Sequence, residues 1–489
     1  MAKVFGKSSL MRTIPLFFLV LSLTFCQKEA ELPEISISFP SDPPSLDPLF
    51  ATDLVSQKLS KFIFAGLYEF KGSKINRRLV VSEKFTTSEV ENSLQLILDD
   101  HSKVRSSDVA FSLNRLIQNS SPRQGDYKFI HKTMIHDDKK LSIVIDKNIS
   151  EMHVKEKLAL PFASILRKDI FETTGKLESF GFYQLQEWKK NEYLKLNKRI
   201  ETSNSFPKEI LIRILPQSST ALFLYKKKQL DAFKLSDFLL TIPEADIKHT
   251  VVKKGRSIQY VAINQKNNCF DKNFRYALNF SIPRELIINK LLGGKADTTR
   301  GPIPLPFYNE VTENTKGIEY KNEFDYDLKK AKFHLERSIC FPKILETPLE
   351  FRMRGDDENQ AKGRAIVQAL IELGLKINLK GMEKAPLYKE NGEGKGDLTL
   401  LTWYADYPSI WNFLDPVFHE KKLGNGGNRS FYTNSNITSM LDQKRSIREA
   451  MDIVDTISND APWIFLWSIQ ENYLVSDKFI LHEGLSDYL

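Results

Sequence analysis

Long apolar runs are scarce in this 489-residue chain, and none reaches the roughly 20 residues that a bilayer-crossing helix needs. Cysteine is rare, with 3 in all, which excludes a small disulfide scaffold. The 8 histidines are scattered. His419-Glu420 and His482-Glu483 each lack the second His one turn on that a zinc-peptidase helix requires. There is no Gly-x-Ser-x-Gly elbow, the most readable sign of a serine hydrolase. Residues 392–396 are Gly-rich but lack the Gly-Lys-Ser/Thr of a phosphate loop, and they lead into a strand; they read as a flexible exposed hairpin or loop. Collagen-like and low-complexity tracts are missing too. The expectation is therefore a chain without enzymatic activity, resident metal or cofactor. A net charge of +8 invites a nucleic-acid reading, but no basic stripe interleaved with aromatics accompanies it. Lys3, Lys7 and Arg12 lie in a segment read below as removed, and losing these three lowers +8 to +5, spread along the length.

What is present is enough to fill a core, with 41% hydrophobic residues and 33 Phe. A single core stops growing at about 250 to 300 residues, so the chain should divide into two or three packed units. Its first 25 residues read as an export signal: basic residues, an apolar run over 14–23, then polar Gln27, Lys28 and Glu29. The alternative, a permanent anchor helix, needs a longer run. Leu23-Thr24-Phe25-Cys26 resembles the lipobox of bacterial lipoproteins, whose Cys receives a diacylglycerol before cleavage in front of it. Phe25 departs from that pattern, which prefers a small residue there. The resemblance implies that Cys26 carries lipid, residues 26–33 form a tether, and the remainder stands outside the cytoplasm at a membrane face. Cys269 and Cys340 would then be free to pair in an oxidising compartment, or to remain as two buried thiols.

Along the mature chain, Ile35, Ile37 and Phe39 alternate as a strand before the Pro-rich turn of residues 42–48. Ser106, Ser107 and Asp108 open a helix with Val109, Leu113, Leu116 and Ile117 on one face. Short alternating runs such as 141–145 and 210–214 predict sheet up to about residue 260. There Tyr260, Val261, Ala262 and Ile263 form a strand, followed by a helix from Asp271 and another from about Ser281, with Pro283 in its first turn and Gly293-Gly294 at its end. Strand 349–353, helix 361–373 and strand 377–379 make a βαβ unit. A helix over 448–457 leads into the apolar run 461–467, a buried strand. The expected architecture is a two-lobed α/β body with a crossover near residue 260.

The stretch 397–408 is the most informative, because an apolar strand ends in Trp403, Tyr404, Ala405, Asp406 and Tyr407 before Pro408. Such a strand end can hold a ligand's ammonium against Asp406 while Trp403 and Tyr404 cover its apolar parts. The competing reading is a core Trp with a surface Asp capping a turn.

The order of segments resembles the extracytoplasmic solute-binding proteins of the dipeptide, oligopeptide and nickel importer family. The motifs that carry the resemblance are Asp42-Pro43-Pro44-Ser45-Leu46-Asp47-Pro48, the segment Arg105 to Arg115, Phe274-Arg275-Tyr276-Ala277-Leu278 with Gly293-Gly294 and Gly301-Pro302-Ile303-Pro304, Tyr326-Asp327-Leu328-Lys329-Lys330-Ala331, and Trp403-Tyr404-Ala405-Asp406-Tyr407-Pro408. They span nearly the entire mature chain. The resemblance implies a class II two-lobed periplasmic-binding-protein-like fold of mixed sheets flanked by helices. Lobe I covers 34–258 with a subdomain inserted at about 60–175; lobe II covers 259–467; residues 468–489 return to lobe I. It implies a monomer that captures short peptides between its lobes and delivers them to an ABC permease, with Asp406 on the peptide's amino terminus and Trp403 beside ligand side chains. Arg429, in the loop 426–429, is a candidate for a ligand carboxylate, against the plainer reading of a solvated loop residue. Thr402 stands where peptide binders often have Gly and would narrow the pocket; Pro283 and Ser102 depart from the family pattern at structural positions. The rival readings are a receptor for a nickel chelate, haem or sugar, a surface adhesin with a degenerate cleft, and a hydrolase.

Overall fold

The structure is a computed structural model that describes residues 34–51, 53–72, 74–199, 206–235, 249–299, 301–312, 324–405, 407–443, 446–482 and 484–489. Cys26, the export segment before it and Asp406 lie outside the described residues.

Two sheets organise the chain. The first has seven strands in the order His249–Lys253, Glu471–Val475, Ala232–Lys234, Ile35–Phe39, Glu209–Ile214, Tyr193–Lys198, Tyr183–Lys189. Its opening strand lies parallel to Glu209–Ile214, with Ile35 opposite Ile210 and Phe39 opposite Ile214. Ile35, Ile37, Ile210 and Ile212 bury one continuous apolar layer against the helix Leu54–Ile63. The second sheet has six strands in the order Ala296–Thr298, Trp463–Ile469, Ser257–Ile263, Leu398–Tyr404, Leu349–Arg354, Ile377–Met382. Ser257–Ile263 is buried at every position because it is paired on both edges and helices cover its faces. The Tyr260 ring stacks on Trp463 at 3.6 Å between centroids. Strands Leu349–Arg354 and Ile377–Met382 are parallel and joined by the helix Asp357–Glu372, the expected βαβ unit. That helix begins four residues before the expected Ala361, because the Asp356 side chain accepts the Asn359 amide and caps it.

Within the first lobe, a four-stranded antiparallel sheet (Val80–Thr86, Glu91–Leu98, Lys140–Asp146, Ile130–Ile135) packs with the helix Ser106–Gln118 around a core of its own. Leu94, Leu96, Leu113, Leu141 and Ile143 fill it.

The chain passes between the two large sheets twice. It leaves the first through residues 254–256 and returns through Gln470, so the two passages run side by side, with Lys253 opposite Glu471. Asp297 ties them together, one oxygen 3.5 Å from Lys254 Nζ and the other accepting from Gln470 Nε2 at 3.1 Å. Cys269 and Cys340 are joined by a disulfide, so the free-thiol alternative is set aside. The Gly-rich stretch is not a free hairpin. Gly392 ends the helix Lys384–Gly392, and the carbonyls of Gly394 and Gly396 both accept from Asn264 Nδ2 at 2.9 Å, which anchors the entry to Leu398–Tyr404.

Candidate binding cleft

One helix and one strand end build the site. The helix Leu54–Ile63 is capped by Asp53, whose carboxylate accepts the Ser56 amide at 2.9 Å. Val55, Leu59, Phe62 and Ile63 press it onto the first-lobe core. Spacing of three and four residues then leaves Leu54, Lys58 and Lys61 as a stripe on the opposite side. Gly181 fixes how the helix ends, since a Cβ there would lie 2.3 Å from the Ile63 carbonyl carbon. From the second lobe, Leu398–Tyr404 runs from fully buried residues to a half-exposed Tyr404, so the strand emerges from the core as it reaches the cleft.

Between them lies a cavity of about 200 Å³. Its walls come from the first lobe (Lys58, Lys61, Phe64, Lys253, Glu471, Tyr488), the second lobe (Tyr404, Ala405, Tyr407, Pro408) and the connecting segment (Arg256). The lobes also touch directly. Tyr407 is buried in the small first-lobe core, stacked on Phe70 at 6.1 Å between centroids, with Lys157 Nζ 5.2 Å from its ring centroid. Ser409 Oγ donates to Glu156 Oε1 at 2.6 Å, and the Ala405 amide donates to the Arg256 carbonyl at 3.0 Å.

The sequence-derived candidates separate in the structure. Tyr404 lines the cavity. Asp406 is outside the described residues, but its chain neighbours Ala405 and Tyr407 are both in the cavity wall. Trp403 is half-buried against the second-lobe core, its indole N–H donating to the Asn412 carbonyl at 2.9 Å. Thr402 does not narrow the cavity, for its hydroxyl accepts from Gln259 Nε2 at 3.1 Å within the sheet. Arg429 sits at the other end of the same strand. Its guanidinium donates to the Tyr388 carbonyl at 2.6 Å and to Asn425 Oδ1 at 3.3 Å, and Asn391 bridges its backbone to Thr399. The residues that sequence reasoning missed are the cleft cations Lys58, Lys61, Lys253 and Arg256.

These cations raise one another's cost. Lys58 Nζ donates to Tyr473 Oη at 2.6 Å, and Tyr473 Oη donates to Glu471 Oε2 at 3.4 Å. Burial pushes the Glu471 carboxyl up, but Lys234, in a direct ion pair, and Lys58 outweigh it and hold the carboxyl below its usual range. Burial lowers Lys58 to about 8, assisted by Lys234, Lys253 and Arg256 and opposed by Glu471. Crowding by the cleft walls likewise lowers Lys61 to about 8, with Arg256, Lys253 and Lys58 adding to the effect and Asp487 opposing it. Much of the Lys61 side chain still meets cleft solvent, so screening tempers its share. Both lysines bind fewer protons in the folded than in the unfolded chain between about pH 8 and their ordinary value of 10.5, so stability should rise with pH across that window. Melting curves from about pH 7.5 to 9.5 should show this rise for the natural chain and lose most of it in a Lys58→Met, Lys61→Met variant. Parallel pH profiles for the two would remove the lysines as its source.

Two sheets with separate cores, joined by paired connecting strands and enclosing a cavity walled by both, define a two-lobed binding protein. Residues 99–425 match the family model described as the middle region of bacterial extracellular solute-binding proteins, family 5, and the chain belongs to that family. It is 23% identical over 307 residues to a probable D,D-dipeptide-binding periplasmic protein of Escherichia coli, a match covering 60% of this chain and 57% of that one. A glutathione-binding protein of Pectobacterium atrosepticum is 25% identical over 467 residues, 86% of each chain. The structure of a periplasmic binding protein from Helicobacter pylori, in complex with the peptide STSA, superposes with a TM-score of 0.69 at 20% identity, covering 90% of this chain and 93% of that one. Among the described residues, no helix is long and apolar enough to cross a membrane, and no group of three or more His, Cys, Asp or Glu is placed to hold a metal ion.

Proposed function

We propose that this protein is a non-enzymatic receptor that captures short peptides outside the cytoplasm and delivers them to an ABC permease, held at a membrane by lipid on Cys26. The observation that carries the reading is the cavity walled by both lobes, with Ala405 and Tyr407 in it on either side of Asp406. In this reading Asp406 takes the peptide's ammonium group and Tyr404 covers apolar side chains. A ligand that touches both lobes favours the closed form by its differential affinity, and water in the cavity adapts to varied side chains.

Melting in the presence of a mixed di- to pentapeptide library tests this. A peptide at one hundred times its Kd should add about 2.7 kcal/mol to stability, whereas a surface lipoprotein with a degenerate cleft would give no rise. Asp406→Asn should weaken the best peptide about 30-fold or more, the usual cost of removing one partner from a desolvated charge pair. Unchanged affinity would reject that role. Labelled acyl chains should appear on the natural chain in its own membrane and not on a Cys26→Ser variant.

A further inference from the structure

We infer that Lys61, Lys253 and Arg256 form a cationic shelf that receives ligand carboxylates, so that the cleft selects anionic peptides over neutral and cationic ones. This rests on the peptide reading above and names the class of peptide within it.

The shelf is set apart from the other cations of the cavity wall by what the acids are doing. Glu69 is already engaged, 3.6 Å from Arg78 and 3.7 Å from Lys71. Glu471 pairs with Lys234 and reaches Lys58 through the Tyr473 hydroxyl. Among the described residues, Lys61, Lys253 and Arg256 form no ion pair; of the acids in the described wall, Asp487 opposes Lys61 and Lys253, and Glu471, already paired with Lys234, also acts on Lys253. Like charges gathered in a partly desolvated cleft are costly, and the cost persists until an anion neutralises them. Beyond burial, Arg256 and Lys253 both lower Lys61, and Arg256 lowers Lys253, which reports the proximity that their shared cavity wall shows.

The shelf stands on the first lobe and the passage that leaves it. Lys61 projects from the first-lobe helix Leu54–Ile63, and Lys253 stands at the end of a first-sheet strand opposite Glu471. Arg256 lies in the connecting segment, where its carbonyl holds the Ala405 amide of the second lobe at 3.0 Å. An anion seated among them neutralises charge drawn from the first lobe and from the passage between lobes, and a peptide held there favours closure where its other end reaches the second lobe.

The test is calorimetric titration of the full mature chain with tripeptides of equal length: Ala-Ala-Ala, Ala-Glu-Glu and Ala-Lys-Lys, with succinate and a sugar phosphate as non-peptide anions. Ala-Glu-Glu should bind at least about tenfold tighter than Ala-Ala-Ala, and this advantage should shrink as NaCl rises from about 50 to 500 mM. Lys61→Gln, a change at an exposed side chain, should cut the advantage severalfold, while Lys61→Arg keeps it. Equal affinity for neutral and acidic tripeptides overturns the shelf and leaves the peptide reading standing. Binding of succinate or the sugar phosphate, lost in Lys61→Gln, without binding of any peptide overturns the peptide reading and the anionic-peptide class together. Binding of nothing in the set overturns both.

Discussion

Replacing Cys269 and Cys340 together by serine should lower the free energy of unfolding by about 4 kcal/mol, the loop-closure value for a bond that encloses a segment of this length. The two residues are separated by 71 positions, and the bond joins the segment after strand Ser257–Ile263 to the turn beyond helix Leu328–Leu335. Both cysteines pack against the second-lobe core, so the loss falls on that lobe. Fluorescence is well placed to detect it, because Trp403, Trp411, Trp463 and Trp467 belong to the second lobe and only Trp188 to the first. In guanidinium the fluorescence midpoint should move down, and a reductant should move the natural chain toward the variant. A variant and a reduced natural chain that both unfold at the natural midpoint would show that the bond adds nothing. The bond also suits a chain that folds in an oxidising compartment, where it resists reduction.

Much of the fold could be read directly because its signals are local. Asp271 caps the helix Lys272–Ser281 by accepting the Phe274 amide, and an Asp before an apolar periodicity is visible in any sequence. The run Trp463 to Trp467 is apolar at nearly every position, as a strand buried on both faces must be. Two lobes follow from length, and their family from the order of its motifs. The cleft was less legible for a physical reason. Lys58 and Lys61 look like the solvated stripe of an amphipathic helix, which is what they would be if the second lobe did not stand opposite them. Lys253 and Arg256 gain meaning only through the pairing of His249–Lys253 with Glu471–Val475, strands more than 200 residues apart in the chain. Arg429 shows the converse. A Gly-Gly-Asn-Arg loop suggests an exposed guanidinium, yet tertiary packing gives it the Tyr388 carbonyl and the Tyr388 ring, whose centroid lies 5.4 Å away.

Removing the Tyr407 ring should loosen the lobes before any ligand is added. Tyr407 belongs to the second lobe by chain order, between strand Leu398–Tyr404 and helix Ile410–Phe418, yet it is only 8% exposed and counts among the residues of a first-lobe core. Burial of an aromatic side chain is worth about 1.5–3 kcal/mol and a stacked aromatic pair about 0.5–1.5 kcal/mol more. Tyr407→Ala should therefore cost the docked arrangement about 3 kcal/mol, a shift of roughly 150-fold in the ratio of docked to open forms. Small-angle scattering of the ligand-free chain should report a larger radius of gyration, and peptide affinity should fall because binding must first restore the docked population. Since Tyr407 also lines the cavity, affinity alone does not separate the two effects. Ser409→Ala does, because Ser409 is not in the cavity wall and its hydroxyl holds Glu156, a carboxylate only 2% exposed. Losing that hydrogen bond takes one partner from a buried carboxylate at a cost of about 1–3 kcal/mol, so this variant should expand the free protein in the same direction by a smaller amount. Tyr407→Phe keeps the ring and should scatter like the natural chain. Identical scattering from the natural chain, Tyr407→Ala and Ser409→Ala would mean that the lobes are held by the connecting strands alone, and that closure owes nothing to these contacts.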